Sequence, residues 1–213
     1  MKNPTKIKIC GITNQKDLQT VTSMGADYVG FVTGVTSSPR NLSLDEATQL
    51  VQVVSNAKTV LVMVPRDTNE IINAFERVLP DFVQVHGDFD LYKDLEDLEI
   101  PIVIGLNDEI GVEKTVNLSR KFTILLDTHV SGMYGGTGVT HDWGKSRLIR
   151  EKISPAKLVL AGGLTPNNVV EAVRIVDPYC VDVSSGVETG PGVKDHERIS
   201  AFIKAVRELK SVE

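Results

Sequence analysis

The chain has 213 residues, a formal net charge of −5 and an apolar fraction of 41%, which is ordinary for one globular domain. Its lysines and arginines are scattered, which excludes a basic footprint for nucleic acid or a polybasic membrane-binding stretch. No apolar run approaches the ~18 residues that span a bilayer, and the N-terminal segment has no signal-peptide pattern. We therefore expect a cytoplasmic protein that binds neither nucleic acid nor membrane.

Eight short apolar runs, rich in β-branched residues, recur along the chain and predict eight strands. Most of them are continuously apolar, as expected for parallel strands that are covered on both faces. The predicted strands are residues 7–10, 28–32, 59–64, 82–85, 102–105, 123–126, 158–161 and 181–184.

Segments with helix signals separate these strands. Ser43 and Glu46 fit a capping box at the start of one helix. Thr165 places a hydroxyl before Pro166, which predicts a helix whose first residue is that proline. Residues 195–209 carry apolar side chains at helical spacing, which predicts a final helix with one apolar face.

The regular alternation of strands and helices predicts the architecture. With no linker and no low-complexity segment, it indicates an α/β fold in which residues 1–213 form a single-domain (β/α)8 TIM barrel. An open doubly wound sheet is the main alternative. In a barrel of this kind, chemistry occurs at the C-terminal ends of the strands, so reactive residues at those positions are the candidates for a site.

Glycine-rich loops follow the last two predicted strands: Gly162 and Gly163 after the seventh, and Ser185 and Gly186 after the eighth. Loops at these two places commonly form the phosphate site of such barrels. Glycine lets backbone N–H groups approach phosphate oxygens closely. Either loop alone fits a simple tight turn, but the pair favours a phosphate site.

Two residues at predicted strand ends have acid–base chemistry. Cys10 ends the first strand and is either a buried structural thiol or a thiolate with a lowered pKa. Asp127 follows the sixth strand and is either an anchoring carboxylate or one whose pKa is raised by burial. The glycine-rich segment 132–138 predicts a mobile loop that closes over a ligand. Cys180 fits a structural thiol away from this rim.

Other polar candidates are fewer. Arg40, in the loop after the second strand, either holds a carboxylate with both guanidinium arms or is a solvated surface charge. His86, at the end of the fourth strand, either orients a substrate or is structural. His129, His141 and His196 lack metal-site spacing, and the sequence has no HExxH, Walker A or GxGxxG motif. We therefore predict no metal and no nucleotide cofactor.

Together these segments resemble the phosphoribosylanthranilate isomerases of tryptophan biosynthesis over essentially the whole chain. Other phosphate-binding barrels share the glycine loops but do not combine them with this cysteine and this aspartate. The matching segments are KICGIT (8–13), ADYVGFV (26–32), SPR (38–40), QVHGD (84–88), LLDTHVSGMYGGTG (125–138), DW (142–143), LAGGLTPNNV (160–169) and VDVSSGVETGPGVKD (181–195).

The resemblance implies an Amadori rearrangement of N-(5′-phosphoribosyl)anthranilate to 1-(2-carboxyphenylamino)-1-deoxyribulose 5-phosphate, with no cofactor. It implies Asp127 as the general acid at the ribose ring oxygen and Cys10 as the general base at C2. Burial would raise the pKa of the thiol as well as that of the carboxyl. Something must therefore favour the thiolate, and Lys8, Arg40 or backbone donors are the candidates.

The resemblance also implies the substrate contacts and the partners. Arg40 matches a ligand of the anthranilate carboxylate, and His86 and Asp182 match residues that border the substrate. The implied partner is a small phosphorylated molecule, and the implied oligomeric state is a monomer or a homodimer. The phosphate ligands are expected among Gly162, Gly163, Ser185 and Gly186.

Three departures from the commonest family pattern concern the cover of the anthranilate ring. Ser37 stands where lysine is frequent, residues 33–36 are smaller than usual, and His141 replaces a common phenylalanine. Two other functions remain as alternatives. One is another sugar-phosphate barrel enzyme, such as a ribulose-phosphate epimerase or the histidine-pathway isomerase, and Cys10 argues against both. The other is a catalytically silent binder, which would be expected to lack Cys10 or Asp127.

Overall fold

Eight parallel strands close into a barrel in the computed structural model, which describes residues 4–107, 111–127 and 142–209. Each strand pairs with its neighbours in sequence, and the first also pairs with the eighth, so the barrel sheet has no open edge. The predicted (β/α)8 barrel is confirmed, and the open sheet is excluded. The barrel strands are β1 (Lys6–Cys10), β2 (Tyr28–Thr33), β3 (Lys58–Met63), β4 (Phe82–His86), β5 (Ile102–Asn107), β6 (Thr123–Asp127), β7 (Leu158–Leu160) and β8 (Cys180–Val183).

Eight α-helices lie within the described ranges and follow the strands. The predicted capping box is present: Ser43 accepts a hydrogen bond from the Glu46 amide, and the Glu46 carboxylate accepts one from the Ser43 amide. In this described part of the chain, no helix is long and apolar enough to cross a membrane. The helices are α1 (Gln15–Ser23), α2 (Leu44–Val51), α3 (Thr68–Val78), α4 (Phe89–Asp94), α5 (Val112–Ser119), α6 (Trp143–Ile153), α7 (Val169–Val176) and α8 (His196–Glu208).

The predicted start of α7 at Pro166 is wrong, because the helix begins three residues later. Residues 165–168 form a turn in which the Thr165 carbonyl accepts hydrogen bonds from the Asn168 and Val169 amides. The Asn168 side chain then bridges the loop, accepting from the Thr165 amide and donating to the Gly163 carbonyl. These bonds hold the segment against the loop that follows β7.

Alternate residues of each strand face the helices and the barrel interior. In β1, Ile7 and Ile9 are fully buried in the large core between the sheet and the helices. Cys10 instead packs inside the barrel, against Val60 and Val62 of β3. Since the inward positions also include the charged Lys8, the interior combines an apolar lining with polar groups below the rim.

Candidate active site

Three predicted site residues are the last residues of their strands. Cys10 ends β1, His86 ends β4 and Asp127 ends β6, so all three lie at the C-terminal rim of the barrel. For His86 and Asp127 the strand is one residue longer than the apolar pattern predicted. β1 and β6 are separated by β7 and β8 around the sheet, so Cys10 and Asp127 approach the barrel mouth from strands that are not adjacent.

The space around Cys10 depends on Gly30, its register partner in β2. Cys10 is only 8% exposed. A Cβ placed on Gly30 would lie 2.9 Å from Cys10 Sγ and 3.2 Å from Lys8 Nζ. The absence of a side chain at Gly30 therefore leaves one small space that the thiol and the ammonium share.

Below Cys10, Lys8 forms a buried ion pair with Asp182, its register partner in β8. Lys8 Nζ donates to Asp182 Oδ2 at 2.8 Å, and the two side chains are 4% and 8% exposed. Burial works against the charge on Lys8, but Asp182 and Cys10 outweigh it and raise the pKa of Lys8 above its usual value. Asp182 Oδ1 is buried and has no hydrogen-bond partner among the described residues.

The thiol of Cys10 is subject to opposing influences. Burial is the largest and raises its pKa, Lys8 lowers it, Asp182 raises it and Lys194 lowers it, with a net rise above the usual value. A pKa above the usual value favours the neutral thiol at neutral pH. The nearby ammonium groups limit the rise but do not cancel it.

Arg40 lies near enough to Cys10 to interact with it electrostatically, and it is held by Glu188, a carboxylate that no sequence pattern singled out. Its Nε donates to Glu188 Oε1 at 2.8 Å and its Nη2 to Glu188 Oε2 at 2.5 Å, a bidentate pair. Gly11 makes this path possible, because a Cβ there would lie 2.5 Å from Arg40 Cδ. Arg40 is therefore not a solvated surface charge, and its Nη1 has no hydrogen bond to the described residues.

Lys194 completes this charged cluster. Its fully buried ammonium donates to Glu188 Oε1 at 2.7 Å and to the Ser184 carbonyl at 3.2 Å. Burial alone would raise the pKa of Glu188, but Arg40 and Lys194 lower it below its usual value. Glu188 and Lys194 both occur in the motif at 181–195. Their contact could not be predicted, because a glycine-rich loop has no periodicity that indicates which side chains meet.

At the rim, the His86 side chain contacts Gln84 of its own strand β4 and packs over Gly105 of the adjacent strand β5. Its Nε2 and the Nε2 of Gln84 are 2.8 Å apart. Gly105, its register partner in β5, leaves room for the ring, because a Cβ there would overlap the imidazole. Gln84 Oε1 is buried without a hydrogen-bond partner in the described part of the chain.

The two glycine loops lie against each other at the same end of the barrel. Gly162 and Gly163 have φ values of +83° and +63°, a region that glycine adopts without steric cost. Ser185 and Gly186 belong to a single 3₁₀ turn over Ser185–Val187. Because Gly186 packs directly on the carbonyl of Leu164, a Cβ there would overlap that oxygen.

This contact predicts a specific cost for Gly186→Ala. The methyl group has to push the two loops apart, so we expect the free energy of unfolding in urea to fall by about 1–3 kcal/mol, as for other overpacked sites. Gly190→Ala is the matched control, because nothing lies within 4 Å of a Cβ at Gly190. Equal stability of the two variants would contradict the proposed contact between the loops.

The remaining residues singled out in the sequence lie away from this cluster or outside the described residues. Cys180 is the first residue of β8, 2% exposed at the end opposite the rim, and burial raises its pKa well above the usual value. His196 Nε2 lies 2.7 Å from Asp17 Oδ1, which joins α8 to α1. Within the described ranges no three His, Cys, Asp or Glu side chains cluster as metal ligands. Segment 132–138, His129 and His141 lie outside the described residues.

Comparison with known proteins gives the family. The family described as "N-(5'phosphoribosyl)anthranilate (PRA) isomerase" matches residues 7–205. The N-(5'-phosphoribosyl)anthranilate isomerase of Haloferax volcanii is 40% identical, with 95% of this chain and 93% of the relative covered.

Two solved structures are similar over nearly their whole length. The first contains monomers generated from the dimeric phosphoribosylanthranilate isomerase of Thermotoga maritima. It is 36% identical, has a TM-score of 0.81 and covers 95% of this chain and 98% of its own. The second is a phosphoribosyl anthranilate isomerase in complex with reduced 1-(o-carboxyphenylamino)-1-deoxyribulose 5-phosphate. It is 33% identical with a TM-score of 0.80 and the same two coverages.

The closed barrel and the polar residues at its C-terminal rim place the chain among single-domain TIM-barrel enzymes. Within that class, the chain belongs to the N-(5'-phosphoribosyl)anthranilate isomerase family. It is thus an isomerase of tryptophan biosynthesis.

Proposed function

We propose that this enzyme converts N-(5′-phosphoribosyl)anthranilate to 1-(2-carboxyphenylamino)-1-deoxyribulose 5-phosphate, with Asp127 as general acid and Cys10 as general base. The observation that carries the assignment is the position of these two residues, each the last of its strand at one rim of the barrel. A substrate in the mouth can then meet an acid on one side and a base on the other.

The reaction needs both groups in turn. Protonated Asp127 donates its proton to the ribose ring oxygen as the C1–O bond breaks and the anilino nitrogen forms a C=N⁺ bond with C1. The Cys10 thiolate then removes the proton from C2, which gives an enol that is conjugated with the nitrogen. Tautomerisation of this enol to the C2 ketone, with a proton added at C1, completes the rearrangement. General acid–base chemistry of this kind requires no metal or organic cofactor.

We infer the binding groups from residues at the same end of the barrel. Arg40 keeps Nη1 for the anthranilate carboxylate while Glu188 holds Nε and Nη2. Asp182 presents a buried carboxylate oxygen that has no hydrogen-bond partner among the described residues, which suits a sugar hydroxyl as donor, and His86 borders the ribose. The phosphate binds to backbone N–H groups of the two glycine loops at Gly162, Gly163, Ser185 and Gly186.

Two further features belong to the proposal, the cellular location and the oligomeric state. We infer that the chain acts in the cytoplasm, as expected from its sequence. We also infer a monomer or a homodimer, since the solved relative from Thermotoga maritima is described as dimeric. Neither feature changes the assignment of the acid and the base.

A fluorescence assay tests the proposal. Phosphoribosylanthranilate is generated in place from anthranilate and phosphoribosyl pyrophosphate, and its fluorescence is followed after the protein is added. We expect the initial rate at which the fluorescence falls to be proportional to the protein concentration. A metal chelator should leave this rate unchanged. If the wild type does not consume phosphoribosylanthranilate, the assignment is overturned. If it instead converts the substrate of the histidine-pathway isomerase, that alternative function is favoured.

A further inference from the structure

The side chain of Lys8 lies where it can act on Cys10 without leaving its ion pair. Both Cys10 Sγ and Lys8 Nζ lie within about 3 Å of the same point, the position of the missing Gly30 Cβ. Within the described part of the chain, Lys8 Nζ donates to Asp182 Oδ2, and its hydrogen bonding toward the Cys10 sulfur acts to lower the pKa of that thiol. An ammonium has three N–H donors, so two remain for other acceptors.

The other cations near Cys10 donate more of their N–H groups to other acceptors. Lys194 gives two donors to Glu188 and to a backbone carbonyl, and Arg40 gives Nε and Nη2 to Glu188. Of the two lysines, Lys8 has the stronger influence on Cys10. The geometry therefore favours Lys8 as the main partner of a thiolate at this position.

The balance of charge around Cys10 points the same way. Among the described residues, the charged groups near Cys10 are Lys8 on β1, Asp182 on β8, Arg40 in the loop after β2, and Lys194 with its partner Glu188 in the segment after β8. Three are cations and two are carboxylates, so one positive charge is in excess. A thiolate at Cys10 neutralises it, which lowers the cost of charging a buried sulfur.

We propose that Lys8 is a positioning residue for the catalytic base. Its ammonium stabilises the thiolate of Cys10 by direct contact in the space that Gly30 leaves open. This inference rests on the role proposed above for Cys10. Asp182 is part of the arrangement, because it fixes the ammonium beneath the sulfur and keeps it charged.

The test measures ionisation of the thiol, not catalysis. The native protein is treated with iodoacetamide over a range of pH, and labelling of the Cys10 peptide is quantified by mass spectrometry, since only the thiolate reacts. In Lys8→Met we expect the titration midpoint of Cys10 to rise by about one pH unit or more, the scale for loss of an adjacent opposite charge. Lys8→Arg keeps the charge and is expected to recover part of the shift.

Controls separate this effect from a general loss of structure. Lys6→Met removes the same charge from the same strand, but Lys6 pairs with Asp27 and is 37% exposed, so the Cys10 midpoint should not move. Cys180 is 2% exposed and reports folding in every sample, because it becomes labelled only if the barrel opens. Gly30→Ala retains every charge but fills the shared space, and a smaller upward shift is expected.

The outcomes distinguish the two proposals. If Lys8→Met does not fold, the double variant Lys8→Met/Asp182→Asn removes the pair as a neutral unit, and an upward shift is still expected because Lys8 outweighs Asp182. An unchanged midpoint in the folded variants overturns the role of Lys8, even if the wild type is an active isomerase. A shifted midpoint in a protein without isomerase activity would reject only the proposed function.

Discussion

Asp127→Asn is expected to lower kcat by about 10²-fold or more, because an amide cannot donate a proton to the ribose ring oxygen. Cys10→Ala removes the proposed base and should cause a loss on the same scale. The measurement is the fluorescence assay at saturating substrate, with the folded state of each variant checked by circular dichroism.

The second cysteine provides a matched control for Cys10. Cys180→Ala changes the same atoms at the opposite end of the barrel, where Cys180 packs with Val103 and Val159, so kcat should stay close to that of the wild type. Full activity in Cys10→Ala would leave the isomerase assignment standing but would remove Cys10 as the base. Full activity in Asp127→Asn would do the same for the acid.

Asp182→Asn is expected to lower the free energy of unfolding by about 3–5 kcal/mol, because it leaves the Lys8 ammonium buried without its counter-ion. Both side chains are almost completely buried, so solvent cannot compensate for the lost partner. Urea unfolding followed by circular dichroism measures the change. An exposed pair is a suitable comparison, and Glu151→Ala, which breaks the surface pair with Arg147, should leave stability close to wild type.

The double variant Lys8→Met/Asp182→Asn sharpens this second prediction. Because both charges of this pair are replaced by neutral side chains, the double variant should be more stable than Asp182→Asn alone, since neutral replacements of buried pairs are often tolerated. If the double variant were less stable than Asp182→Asn, the prediction would be contradicted. The loss of unfolding free energy would then come from altered packing and not from an uncompensated charge.

The sequence predicted the parts of the site that follow from local pattern. Continuous apolar runs placed Cys10, His86 and Asp127 at or beside strand ends, and all three are terminal strand residues. Local pattern was less reliable where side chains of a loop bond to each other. The Thr165-Pro166 pair indicated a helix start, but Asn168 holds this segment in a turn and delays the helix.

By itself, the sequence of this protein determined the eightfold alternation, the rim that carries the reactive residues, and the family. Each of these depends on neighbours in the chain or on ordered motifs. Only the tertiary structure decided what surrounds Cys10. Arg40 and Glu188 are 148 positions apart, and Lys8 and Asp182 are 174 apart. Lys8 and Asp182 meet because β1 pairs with β8 when the barrel closes. The same closure brings the loop after β2 close to the segment after β8, and the periodicity of the sequence does not predict either long-range contact.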